Sequence, residues 1–95
     1  MRKKLIENEL FIAVHILLSP YERVVYEKLT EGITERKRYG KQVGFKTLMR
    51  LLKLDAKYTK IVIDSLMEKI GSMYELKESQ NHVYKYYVLC EKKNI

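Results

Sequence analysis

Apolar positions along this chain keep two different rhythms. Up to about residue 70 they recur every three or four residues, the spacing of one helix face; from residue 74 they alternate with polar residues, as along a strand with one buried face. Leu5, Ile6, Leu10, Ala13, Val14 and Leu17 share a face of a first helix predicted over residues 3–18, and Phe11, Ile12, Ile16 and Leu18 make its end apolar nearly all round. Such a helix needs cover on every side, more than a chain of 95 residues can readily supply. Leu10, Phe11, Val14, Ile16 and Leu18 are therefore expected to lie at an interface with a second copy.

Ser19-Pro20-Tyr21-Glu22 carries a capping-box start with proline at the first helical position. It predicts a second helix over residues 20–30, with Tyr21, Val25 and Leu29 inward and Gly32 as its stop. Residues 33–44 have many charges and no apolar period, and read as a loop. Phe45, Leu48, Met49 and Leu52 predict a third helix, and Asp55 caps a fourth over residues 56–70 that Gly71 ends. Val62, Ile63, Leu66 and Ile70 are its inward positions; Lys57, Tyr58, Lys60, Ile61 and Asp64 are its outward ones. Two alternating runs around Ser79-Gln80-Asn81-His82 then predict a β-hairpin. The reading is one domain over residues 1–95: an N-terminal helix (1–18), a helical core (19–71) and a hairpin (72–91).

Charge changes this picture most. Nine basic residues and one acid, Asp55, fall between Arg36 and Lys60, so that segment carries +8 and the other 70 residues −1, for a net +7. A charge run is ordinarily a solvated face, but an imbalance confined to one segment points to a polyanion. The longest apolar run, Leu10 to Leu18, falls short of the ~20 residues that span a bilayer, and a cytoplasmic protein is expected. One cysteine, Cys90, excludes an internal disulfide framework, and with two isolated histidines it supplies no metal set. No cofactor is implied. Asp64 and Glu68 share a helix face but lack a third partner, and no nucleophile–base pair or phosphate loop is present, so a binding protein rather than an enzyme is expected. His15 reads as a packed or interface residue, His82 as a turn residue and Cys90 as strand filler.

Two helices joined by a short turn and followed by a hairpin is the order of a winged helix-turn-helix. "LMRLLKLDAKYTKIVIDSLMEKI" resembles that family's core: Leu48, Leu51 and Leu52 match apolar positions of its first motif helix, Leu54 its apolar turn position, and Ile63 and Leu66 its buried recognition-helix positions. "SMYELKES" with "HVYKYYVL" resembles its wing. Lys53 departs from the pattern, since the turn often holds glycine. The resemblance spans residues 19–90 and implies a mainly helical α+β fold, four helices followed by a two-stranded wing. In layout the chain is similar to PadR-type and MarR-type regulators, and to small winged-helix segregation proteins of archaeal plasmids. It lacks an evident domain for a small-molecule ligand.

The resemblance implies a recognition helix in the DNA major groove, presenting Lys57, Tyr58, Lys60 and Ile61. Lysine can meet guanine or phosphate, and Ile61 a thymine methyl; a helix–helix contact explains Ile61 equally well, and packing over the turn explains Tyr58. Lys46, Arg50 and Lys53 suit phosphates, with Arg50 able to pair bidentately with guanine. Arg36, Lys37, Arg38 and Lys41 offer sequence-independent contacts, and Gln42 a base or backbone contact. Gly44 leaves helix-start N–H groups open to phosphate. The expected function is a homodimeric, sequence-specific duplex binder reading a palindrome, in transcription regulation or in plasmid or viral DNA partition alongside other partition proteins. A single-stranded nucleic-acid binder stacking bases on Tyr74, Tyr84, Tyr86 and Tyr87, and a protein-interaction adaptor, are the alternatives.

Overall fold

The computed structural model describes residues 11–13 and 15–92. Helix α1 is seen as helical residues 11–13 and 15. It is followed by α2 (Pro20–Leu29), β1 (Val43–Gly44), α3 (Phe45–Leu52), α4 (Ala56–Ile70), β2 (Tyr74–Asn81) and β3 (Tyr84–Glu91). The four helices pack with one antiparallel sheet in the order β1-β3-β2. The fold is α+β, and the expected two-stranded hairpin is a three-stranded sheet.

The N-terminal expectations need two corrections. The helix predicted through residue 18 leaves helical geometry after residue 15, so helical spacing no longer decides which of residues 16–18 turn inward. Leu18 is 5% exposed and its neighbour Leu17 86%. Ile12 is buried and Ile16 packs against the same core, whereas Ala13, assigned to the inward face, is exposed. In α2 the inward stripe is Glu22, Val25, Tyr26 and Leu29, and Tyr21 lies half exposed. Glu22 turns inward because Ser65 and Lys69 of α4 meet its carboxylate, and the capping box uses the same side chain. The Ser19 N–H donates to Glu22 Oε1 at 2.8 Å and the Glu22 N–H donates to Ser19 Oγ at 3.2 Å, which holds Glu22 against the fold.

The segment read as a free loop is tied down. Ile33 is buried, and the Gly40 N–H donates to the Leu89 carbonyl and the Glu91 N–H to the Arg38 carbonyl, both at 2.9 Å. Gly40 runs so close to α2 that a Cβ there would stand 1.9 Å from the Leu29 carbonyl oxygen. The chain then pairs Val43 with Tyr87 and Gly44 with Tyr86 before entering α3. Two residues of strand are too few to show an alternation, which is why β1 escaped the sequence pattern.

Lys53, Leu54 and Asp55 join α3 to α4. Lys53 takes the left-handed conformation at φ 57°, a shape that costs a non-glycine residue roughly 1 kcal/mol. The turn is therefore made without glycine. Asp55 caps α4 by accepting the Tyr58 N–H at 2.9 Å. Thr59, Ile63, Leu66 and Ile70 are the buried stripe of α4, with Val62 packed at its margin. Leu51, expected at an apolar motif position, is 45% exposed. The hairpin reverses at His82 and Val83 rather than over residues 79–82, with His82 at φ 56°. Both strands are thus eight residues long. Tyr74, Tyr87 and Leu89 close the core beneath the helices.

Candidate nucleic-acid interface

Every cation between Arg36 and Lys60 is exposed. The one acid of the segment, Asp55, has its carboxylate committed to the α4 cap. Helical spacing sorts these residues further. Lys46 and Arg50 are one turn apart on α3, and Lys53 continues their line at its C-terminus. On α4, Lys57, Lys60, Ile61 and Asp64 form a stripe away from the buried one. Tyr58 and Ile61 are each about half exposed. Lys60 is not a free cation: its Nζ donates to Asp64 Oδ1 at 2.7 Å. That hydrogen bond, against a smaller desolvation penalty, raises the Lys60 pKa.

Beside α3 lies a groove of about 500 Å³. One wall is the α3 segment from Gly44 to Arg50, the other the start of β3 from Val83 to Tyr86, with Ala56 at the end. Lys46 Nζ sits 5.1 Å above the Tyr84 ring centre, a cation–π contact that ties the helix to the hairpin. Tyr86 packs over the bare backbone of Gly44; a Cβ on that glycine would lie 3.7 Å from its ring. Gly44 caps α3 without a side-chain hydrogen bond, so the first N–H groups of α3 have no capping side chain.

The loop cations form a separate group. Tyr39 bridges to Cys90, near the C-terminal end of β3, whereas the groove meets its N-terminal end at Tyr84. Five residues of strand lie between the two, about 20 Å. Lys37 stands over the Tyr39 ring at 4.9 Å, and Arg38 Nη1 lies 4.0 Å from the Glu91 carboxylate. Lys41 donates its backbone N–H to Glu31, with its side chain outward, and Gln42 is exposed just before β1. Lys46 and Arg50 thus lie at one end of β3 and the loop cations Lys37 and Arg38 near the other.

The four tyrosines of the single-strand alternative also divide. Tyr74 and Tyr87 are buried, Tyr84 is 49% exposed and Tyr86 is partly covered. Tyr26 and Tyr74 hydroxyls meet at 3.0 Å inside the core. Burial, reinforced by the Glu78 and Asp64 carboxylates, pushes the Tyr87 phenol up to about 12.

Of the residues expected at a dimer interface, Leu10 and Val14 lie outside the described residues. Leu18 is buried in the chain's own core and Ile16 packs against it. Phe11 is 49% exposed, and Leu17, Tyr21 and Val24 are further exposed apolar side chains of the α1–α2 region.

Sequence reasoning missed two clusters. One is the groove that sets Thr47 beside Tyr84, a residue read singly as a stacking candidate but not as a neighbour of α3. Its signal was weak, because only folding brings residues 44–50 to residues 83–86. The other is a charge cluster between α2 and α4, in which Glu22 is buried and Lys69 is partly exposed. Glu22 accepts from Lys69 Nζ at 2.6 Å and from the Ser65 hydroxyl. Burial alone would raise the Glu22 pKa; the hydrogen bonds from Lys69, Ser65 and the Ser19 N–H outweigh it and lower the carboxyl from 4.5 to about 2. Among the described residues, no three His, Cys, Asp or Glu side chains gather as a metal site requires, and no helix is long and apolar enough to cross a membrane. No protein-family model matches the chain, and neither a curated protein nor a solved structure matches it.

Proposed function

We propose that this protein is a homodimeric, sequence-specific binder of double-stranded DNA on a winged helix-turn-helix scaffold. One observation carries the reading: nine cations within 25 residues, all exposed, with their single acid committed to a helix cap. α3, its three-residue turn and α4 supply two cationic stripes of the kind that a helix pair presents to a duplex. In this reading α4 enters the major groove with Lys57, Tyr58, Lys60 and Ile61. Lys46, Arg50 and Lys53 hold phosphates, and Arg50 is also long enough to reach a guanine edge. β2 and β3 are the wing, and the loop cations Arg36, Lys37, Arg38 and Lys41 add contacts indifferent to sequence.

Dimerisation rests on Phe11 and Leu17, apolar side chains left open at the start of the fold. A two-fold dimer presents two recognition helices and so reads a palindrome with half-sites ~34 Å apart. Such a protein acts as a transcription regulator, or as a centromere binder in plasmid or viral DNA partition with further partition proteins. Both roles use the same contacts. The single-strand alternative loses half of its supposed platform, since Tyr74 and Tyr87 are buried.

The test is selection from randomised duplex and single-strand pools across salt. The expected result is an enriched palindromic duplex whose affinity falls with salt by ~0.9 log units per log unit for each phosphate contacted. Enrichment only from the single-strand pool, or binding to neither, would overturn the proposal. Sedimentation at micromolar concentration checks the dimer.

A further inference from the structure

The outer edge of β2 is open. The sheet order β1-β3-β2 leaves β2 paired on one side only, and residues 75–81 are exposed apart from the partly buried Leu76. The ladder fixes which backbone groups face outward. The Lys92 N–H donates to the Met73 carbonyl at 2.9 Å, so Met73, and with it Glu75, Lys77 and Ser79, turn their backbone groups to β3. The opposite strand agrees: Leu89 and Glu91 bond away from β2, to Gly40 and Arg38. Leu76, Glu78 and Gln80 therefore aim their backbone groups outward, along a strand of eight residues with no proline and a one-to-one register. Folded proteins ordinarily blunt such an edge with charge. The charges here are Glu75 and Lys77, two residues apart on one face, and neither has an ion-pair partner among the described residues.

We infer that β2 pairs antiparallel with β2 of a second copy, centred on Leu76, joining two sheets of three strands into one. Hydrogen bonding and charge together select this register. Outward-facing residues must oppose outward-facing residues, so a two-fold pairing sets one residue of β2 opposite its own copy. Centred on Glu75, Lys77 or Glu78, the pairing puts like charges face to face, which is destabilising. Centred on Tyr74, Ser79, Gln80 or Asn81, it matches no opposite charges within β2. Centred on Leu76, it sets Glu75 against Lys77 of the second copy and Lys77 against its Glu75. Both pairs fall at non-hydrogen-bonded positions, where side chains approach most closely. The two Leu76 side chains meet on the other face, at the margin of each core. Charges that repel in three registers are thus self-complementary in one. A second copy supplies the matching pattern by symmetry, whereas an unrelated strand would have to reproduce it. The edge lies on a different element from Phe11 and Leu17, and the inference does not rest on the DNA-binding reading. A chain with both surfaces engaged assembles beyond a dimer.

The test is charge reversal read by sedimentation, in the full chain carrying Leu17→Asp to suppress association through the N-terminal surface. Leu17, Glu75 and Lys77 are all exposed, so the fold should survive, which circular dichroism checks. Concentration-dependent dimers are expected. Lys77→Glu or Glu75→Lys alone should weaken them by about tenfold or more, since both charge pairs become repulsive. The two reversals in one chain should restore association to within about threefold, and an equal mixture of the single variants should form the heterodimer. Isotope-filtered NMR should place Glu75 of one copy against Lys77 of the other. Without Leu17→Asp, the same reversals should remove species larger than a dimer. The inference is overturned by a Leu17→Asp chain that stays monomeric to millimolar concentration, by single reversals without effect, or by a double reversal that fails to restore association. A monomeric Leu17→Asp chain leaves the N-terminal dimer of the proposed function standing. Edge dimers that follow the charge pattern in a protein that Leu17→Asp does not weaken would refute that dimer and leave the β2 pairing in place.

Discussion

Two lysines on α4 show opposite uses of the same side chain. Lys69, near the C-terminus, holds the buried Glu22 carboxylate at 2.6 Å and donates to the Leu17 carbonyl at 3.0 Å. Lys57, at the N-terminus, stands exposed on the stripe opposite the core. The first charge is consumed in joining α4 to α2 and to the N-terminal link. The second remains for something outside the fold. A buried carboxylate depends on the donors that meet it, and a cation without such a partner creates surface potential. Breaking the two regions separately should therefore give two unlike phenotypes.

The largest effect belongs to the buried cluster. Glu22→Ala removes a cap acceptor and the carboxylate that accepts from Ser65 and the half-exposed Lys69, and the lost cap and charge-assisted hydrogen bonds together destabilise by ~2–3 kcal/mol. Denaturant unfolding should show this loss. The same cluster sets an acid limit. Because the Glu22 pKa is lowered in the folded state, its contribution is complete above pH 4.5 and is lost as pH falls from 4.5 to about 2. Glu22→Gln should flatten that part of the stability–pH curve; a curve unchanged in shape would mean that Glu22 does not govern it.

The exposed region should fail differently. Arg50→Ala should weaken duplex binding by more than about tenfold, at least ~1.4 kcal/mol, with the unfolding midpoint unmoved. Arg38→Ala should change affinity by less than about threefold, because Arg38 sits at the far end of β3 beside Glu91. Equal effects at both sites would erase the distinction between the helix cations and the loop cations.

That distinction marks where the sequence stopped being legible. Helical periodicity placed α3 and α4, and the capping signals at Ser19 and Asp55 are realised as hydrogen bonds. Local chemistry was readable because it acts within a few residues. The inward turn of Glu22 was not, since its partners Ser65 and Lys69 lie more than forty residues away. Nor was the separation of Lys46 and Arg50 from the loop cations, which results from Tyr39 pairing with Cys90 while α3 faces the start of β3. The alternating hairpin was evident, but not its reversal at His82 and Val83, because Val83 has the composition of a strand residue and His82 takes a positive φ that favours glycine.

A smaller effect tests the core beneath α3. The Tyr87 hydroxyl is buried and has no hydrogen-bond partner among the described residues. A polar group so placed costs about 1 kcal/mol or more. Tyr87→Phe keeps the ring against Phe45, 6.3 Å between centres, and should raise stability by ~1 kcal/mol. Destabilisation on thermal or denaturant unfolding would show that the hydroxyl is satisfied in solution.

The smallest effect separates the two stripes most finely. Lys60 lies on the exposed stripe but is held by Asp64 at 2.7 Å, one helical turn away. It therefore stands between the two extremes, a surface cation already partly neutralised. Asp64→Asn should release it and remove a negative charge from the stripe proposed to meet the duplex. Duplex affinity should rise about two- to threefold, and the gain should shrink as added salt screens the site. The exposed pair contributes no more than a few tenths of a kcal/mol to the helix, so stability should barely change. If affinity instead falls, Asp64 positions Lys60 rather than masking it. The pair would then act on α4 as Glu22 acts on Lys69, with the acid setting where the cation can reach.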